Sequence, residues 1–151
     1  MNKRQEIMDL SLKFLIESID KKGGSRAYYS RLYNPFGGWS LMYPETSGYL
    51  IPTLINCSKS HDDSLYFDKA KEIADWLLSI QFDDGSFPGH LYKKDTNIKS
   101  IFNSAQILIG LVSIYKGTKD KKFLSSIINC SSWICSNQDN NGLWLKHSYK
   151  N

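Results

Sequence analysis

The stretch Gln81-Phe82-Asp83-Asp84-Gly85-Ser86-Phe87 sets two adjacent carboxylates beside a glycine, with aromatic rings on either side. Neighbouring carboxylates can divide acid and base roles, because the charge on one raises the pKa of the other. They can also ligate a hard cation. Aspartate before glycine has a structural use as well, since both residues suit tight turns. A second stretch decides between these uses. Ala74–Phe87 reads ADWLLSIQFDDGSF and Ser131–Trp144 reads SSWICSNQDNNGLW, so Trp76, Gln81, Gly85 and Phe87 recur as Trp133, Gln138, Gly142 and Trp144, 57 residues on. The same offset lays SGYLIPTL (Ser47–Leu54) over SAQILIGL (Ser104–Leu111), with apolar matches at Leu50/Ile107, Ile51/Leu108 and Leu54/Leu111. One offset across two segments marks an internal repeat. In the second copy Asp83 and Asp84 become Asn140 and Asn141. Asparagine keeps the turn and drops the charge, so the acidic pair reads as a loop device, with any further role of Asp84 left open.

Other chemistry is narrowed by what the chain carries. Cys57, Cys130 and Cys135 are an odd number with no C-x-x-C spacing, and they read as buried free thiols of a reducing cytoplasm. His61 and His147 have no partners at ligand spacing, and neither a phosphate-binding glycine loop nor H-E-x-x-H occurs, so no metal and no cofactor is expected. Net charge is +4, but the lysines lie in scattered pairs such as Lys21-Lys22, Lys93-Lys94 and Lys121-Lys122. A phosphate-tracking surface needs clustered charge, so no nucleic acid is expected as a partner. The N-terminal residues lack the apolar core of a signal peptide, and no run is long enough to span a membrane. A cytoplasmic location is the expectation.

The elements that position these residues are helices. With 151 residues the chain suits one domain, 1–151. Apolar spacing predicts helices over roughly 3–20, 44–57, 66–81, 101–115 and 121–137, the second opening on Pro44 and kinked at Pro52. A long loop runs from Ser25 to Met42. No alternating strand is found, so the class is all-α. SGYLIPTLI and AQILIGLVSIY are apolar nearly all round, whereas DKAKEIADWLLSIQ has a charged face. The first kind belongs inside and the second outside, which predicts stacked α/α hairpins with Trp76 and Trp133 in the core. Gln81 and Gln138 are expected to bond loop backbone.

The Q-x-x-x-G-x-[FW] corner after an outer helix resembles the QW-type repeat of the terpenoid cyclase and prenyltransferase α/α-toroid superfamily. YPETSGYLIPTL, ADWLLSIQFDDGSFPG and IFNSAQILIGLVSIY are similar to a bacterial group within it associated with cell-surface polysaccharide gene clusters. The resemblance covers about residues 37–144. It implies part of an incomplete toroid of about five helices, a truncated product or a fragment, whose uncovered inner faces invite self-association or a covering partner. The D-x-D-D acid of squalene cyclases does not occur here, and neither does a prenyltransferase-like Asp, Cys and His zinc set.

In such toroids the pocket lies at the loops leading into the inner helices, which by analogy selects residues 26–46 and 88–104. The first offers Arg26, Tyr28, Tyr29, Arg31, Tyr33, Trp39, Tyr43 and Glu45, with Tyr49 just beyond; the second offers His90, Tyr92, Phe102 and Asn103. Rings stack on sugar faces and arginine forks onto carboxylates, so Arg26, Arg31, Trp39, Tyr49, Phe102 and Asn103 are candidate substrate-binding residues. Glu45 at a helix start, Tyr43 beside it and His90 are the candidate acid/base residues. Glutamate in a first turn also stabilises any helix, by about 0.3–1 kcal/mol. In the second copy Tyr43 and Glu45 become Ser100 and Phe102, so the repeat itself does not demand them. The leading expectation is a carbohydrate-related enzyme of surface-polysaccharide metabolism, or its remnant, acting by acid/base chemistry on a sugar or glycan, lipid-linked or free. An isoprenoid- or lipid-carrier-binding protein and a non-catalytic helical scaffold are the alternatives.

Overall fold

A computed structural model describes residues 2–32, 38–95 and 97–148, which leaves Tyr33 outside the described residues. Among these residues five helices follow one another: α1 (Lys3–Ser18), α2 (Pro44–His61), α3 (Ser64–Ser79), α4 (Ile101–Thr118) and α5 (Lys121–Ser136). Only isolated β-bridges accompany them among the described residues, so the fold is all-α. Both ends of α4 lie 57 positions beyond those of α2, and both ends of α5 lie 57 beyond those of α3. The caps repeat too. Asp62 and Lys119 close the inner helices in left-handed conformation, and Asp63 and Asp120 accept from the N–H two residues on at 2.9 and 3.0 Å. The left-handed Asp62 explains why α2 runs to His61 rather than stopping near Cys57.

Helices α2 and α4 sit in the middle, α3 packs on α2, and α5 packs on α4. Ile51, Leu54, Ile73, Leu77, Ile107, Leu111 and Phe123 are fully buried, and Trp76 and Trp133 are nearly so. The two inner helices meet backbone to backbone. A Cβ on Gly48 would come within 2.7 Å of the Ile107 Cα, and one on Gly110 within 2.5 Å of the Gly48 carbonyl oxygen. Pro52 has no N–H to give the carbonyl four residues back, and that carbonyl is Gly48's, the one facing Gly110. The cysteines divide differently from expectation. Cys130 is buried, and burial pushes its thiol up to about 12, but Cys57 is half-buried and Cys135 is exposed on the outer face of α5.

The corner that closes each outer helix is built twice in the same way. Gln81 donates to the Gly85 carbonyl and Gln138 to that of Gly142, both at 2.9 Å. The Gly85 N–H donates to Phe82 and the Phe82 N–H to Ser86; Gly142 to Asp139 and Asp139 to Leu143 repeat this pair. Gly85 and Gly142 have φ of +91° and +81°, where only glycine is comfortable. Another such corner follows α1: the Gly23 N–H donates to Asp20, and the Asp20 N–H to Gly24. Helix α1 is therefore an outer helix as well.

Two of these corners are seated on the hairpin that follows. The Ser25 N–H donates to Ser47 Oγ on α2 at 2.9 Å, and the Phe87 N–H donates to Ser104 Oγ on α4 at 3.0 Å. Gly23 rests on the Glu72 carbonyl of α3 and Gly85 on the Asn129 carbonyl of α5, so closely that a Cβ on either would collide. Residues 25–32 and 38–42, expected as part of a loop, pair with one another as a narrow ribbon. Bridges join Arg26 to Met42 and Tyr29 to Trp39, and bonds run from Ala27 N–H to Leu41 and from Ser40 N–H to Tyr28.

Candidate functional site

Three depressions line up along the loops that lead into α2 and α4. The first, about 440 Å³, lies between α1, the ribbon and α2 and is walled by Phe14, Leu15, Tyr28, Trp39, Tyr49 and Leu50, with Arg26 and Thr46 among its polar members. The second, also about 440 Å³, is lined by Ala27, Tyr43, His90, Leu91, Lys93 and Ile98. The third, about 480 Å³, is lined by His90, Ile98, Lys99, Ser100, Lys146, His147 and Ser148. Ala27 belongs to the first two and His90 and Ile98 to the last two, so the depressions adjoin as one trough. It is aromatic at one end and cationic at the other.

The aromatic end is held by ring packing. The Trp39 indole lies 5.1 Å from Phe14 and 5.3 Å from Tyr29, edge-on to the latter. Its polar side chains are largely engaged. Arg26 pairs with Asp20 at 2.7 Å, Thr46 donates to the Tyr43 carbonyl, Ser18 to that of Leu15 and Thr53 to that of Tyr49. What this end offers a ligand is apolar wall and the Tyr28 and Tyr49 rings. The Tyr49 phenol is pushed up by burial and then by the charge of Glu45 one turn before it.

The cationic end sits at the start of α4. Ser100 caps that helix, donating to Asn103 Oδ1 and accepting from the Asn103 N–H. Lys99 is paired with Asp84, so Lys146 and the helix N-terminus supply the net positive potential here. Burial lowers the pKa of His147, and Lys146 and Lys99 lower it further. The His147 ring lies 5.4 Å from Trp133, and its carbonyl accepts from the Ile101 N–H. His90 and His147 stand 57 residues apart and share left-handed φ of +61° and +60°. They are equivalent residues of successive copies.

No match was found to any family profile, curated protein or solved structure. Among the described residues no cluster of three or more His, Cys, Asp or Glu could hold a metal, and no helix is long and apolar enough to cross a membrane.

The expected site residues divide over this frame. Arg26, Trp39 and Tyr49 come together at the aromatic end, and Tyr43 and His90 share the middle depression. Glu45 is half-buried on the first turn of α2, beside Tyr49 rather than among the side chains lining the trough. Arg31 is exposed far out on the ribbon, and Phe102 is 47% exposed on the first turn of α4. Asn103 is fully buried, its amide donating to the Pro88 carbonyl at 3.4 Å, which fastens the second corner to α4. Asp84 likewise works as a fastener: it accepts from the Ser86 N–H and hydroxyl and pairs with Lys99. Burial works to raise its pKa, but the bonds from Lys99 and Ser86 outweigh it and hold the carboxyl down to about 2. Lys99 and Lys146 are not among the residues expected from sequence, and His147 is set aside there for want of partners at ligand spacing; the 57-residue offset joining it to His90 is the available signal.

Proposed function

We propose that the trough binds an amphipathic ligand, a lipid-linked saccharide whose isoprenoid chain lies at the aromatic end and whose anionic head lies at the cationic end. The supporting observation is the gradient itself: Phe14, Tyr28, Trp39 and Tyr49 at one end, Lys146 and the start of α4 at the other, where Lys99 is already paired with Asp84. A free sugar would need unengaged hydroxyl and amide partners beside the rings, and most polar side chains there are bonded internally. An isoprenoid chain needs only shape and apolar area, at about 25 cal/mol per Å² buried. A phosphate head suits lysines and a helix start.

Tyr43 and His90 lie between the two ends, beside the point where the lipid's terminal carbon would meet the phosphate linkage. They are the pair positioned to give and take a proton there, in keeping with an enzyme of polysaccharide assembly. Titration of a short polyprenyl phosphate against the intrinsic tryptophan fluorescence tests the reading. Saturable binding is expected, with an acidic monosaccharide failing to compete. Equal binding of the bare acidic sugar would overturn the lipid assignment. If turnover of a lipid-linked sugar is found, Tyr43→Phe and His90→Gln should lower kcat by about 10²-fold or more with binding retained.

A further inference from the structure

Among the described residues there are three corners and two hairpins to receive them. The corner of Gly23 is covered by α2 and α3, and that of Gly85 by α4 and α5. The corner of Gly142 repeats the internal bonds of the other two, yet among the described residues its seat is open. A Cβ on Gly142 would find just its own Gln138 side chain, at 4.0 Å. Gln81 makes a second bond, to the Ser126 carbonyl of α5 at 3.1 Å, whereas the bond described for Gln138 stays within its own corner. Phe87 is 0% exposed and its equivalent Trp144 is 36% exposed.

The same contrast runs along the inner helix. Ile51 and Ile55 of α2 are buried, Ile51 beside Gly110 of the following hairpin. Their equivalents on α4 are Leu108 and Val112, apolar and incompletely buried, and between them Ile109 is 53% exposed. The polar groups of the corner thus repeat in register with those that already hold a hairpin twice, and the apolar face of α4 with the face of α2 that holds one.

We propose that the α4–α5 edge, with the Gly142 corner, docks one further α-helical hairpin of the same pattern. Its inner helix lies on Leu108, Ile109 and Val112 and carries a hydroxyl at its fourth position, as Ser47 and Ser104 do in α2 and α4, to accept from the Trp144 N–H. Its outer helix lays a backbone carbonyl over Gly142, as α3 does over Gly23 and α5 over Gly85.

A chain in which residues 89–148 are repeated directly after Leu145 supplies such a hairpin in register. The expected results are a gain in helical circular dichroism, a higher midpoint of thermal unfolding, and exchange of the Trp144 amide hydrogen slowed by roughly tenfold or more. Ile109→Lys should lower the midpoint of the extended chain and leave that of the original chain unchanged. An added segment that stays unfolded, or Trp144 exchange equal in both chains, overturns the assignment. So does dimerisation of the original chain that Ile109→Lys abolishes, which would make a second copy the occupant.

Discussion

Asp84 shows how a residue with catalytic looks is spent on structure. Its carboxylate ties the second corner to Lys99, on the strand of loop entering α4. The folded pKa, about 2, lies below the usual 3.8, so the ionised form favours the folded state. That contribution is present above the ordinary carboxylate range and is lost as pH falls through about 2. Denaturant titrations between pH 5 and pH 2 should therefore show a smaller loss of stability for Asp84→Asn than for the parent, and identical slopes would disprove the linkage. The two corner glutamines give a second comparison. Gln81 bridges two elements and Gln138 bonds within one loop. Gln81→Ala should cost about 1–2 kcal/mol by urea unfolding and Gln138→Ala under about 0.5. The paired glutamines and the Asp-to-Asn exchange were legible from sequence as backbone-bonding turn parts. The burial of Asn103 was not, because nothing in its type or spacing separates a side chain that fastens a loop from one that greets a ligand.

At the scale of elements, the helices are legible from apolar spacing, and the 57-residue offset pairs α2 with α4 and α3 with α5, whose observed ends keep it at every boundary. The corner after α1 escaped notice for a physical reason. Ile19 stands where the other corners have glutamine, Ser25 stands where they have an aromatic, and the ribbon lengthens the connection so that the offset changes. The ribbon was missed because its pairing comes from backbone bonds with little side-chain alternation. Between α2 and α4 the glycine contact sets the spacing. Gly110→Leu would drive a side chain into the Gly48 backbone, and a loss of about 1–3 kcal/mol in thermal or urea unfolding is expected. The matching position on α2 is Thr53, which is exposed, so Thr53→Leu should stay within about 0.5 kcal/mol.

For the whole molecule, the trough depends on three loops that are distant in sequence, which is why residues of its aromatic end and middle are legible in the chain but its cationic end and its gradient are not. Lys146 and His147 come to α4 only because the last corner folds back, with His147 accepting from Ile101. If the trough binds as proposed, its two ends should respond to different conditions. Raising salt from about 0.05 to 0.5 M should weaken a polyprenyl phosphate several-fold while leaving the corresponding alcohol nearly unaffected, as Debye screening requires. Trp39→Ala should weaken both ligands alike, read by isothermal titration. Loss of the phosphate alone on Trp39→Ala would place the head, not the tail, at the ring.

The glycine contact between α2 and α4 has a geometric consequence. The inner pair touches main chain to main chain, while the outer pair is spanned by long side chains such as Lys122 reaching Asp75 at 2.6 Å. Each hairpin is therefore a wedge, thin on the α2–α4 side and thick on the α3–α5 side. Wedges stacked in one sense turn about an axis on their thin side. The taper of a single unit, rather than any particular contact, would set the curvature of a longer stack.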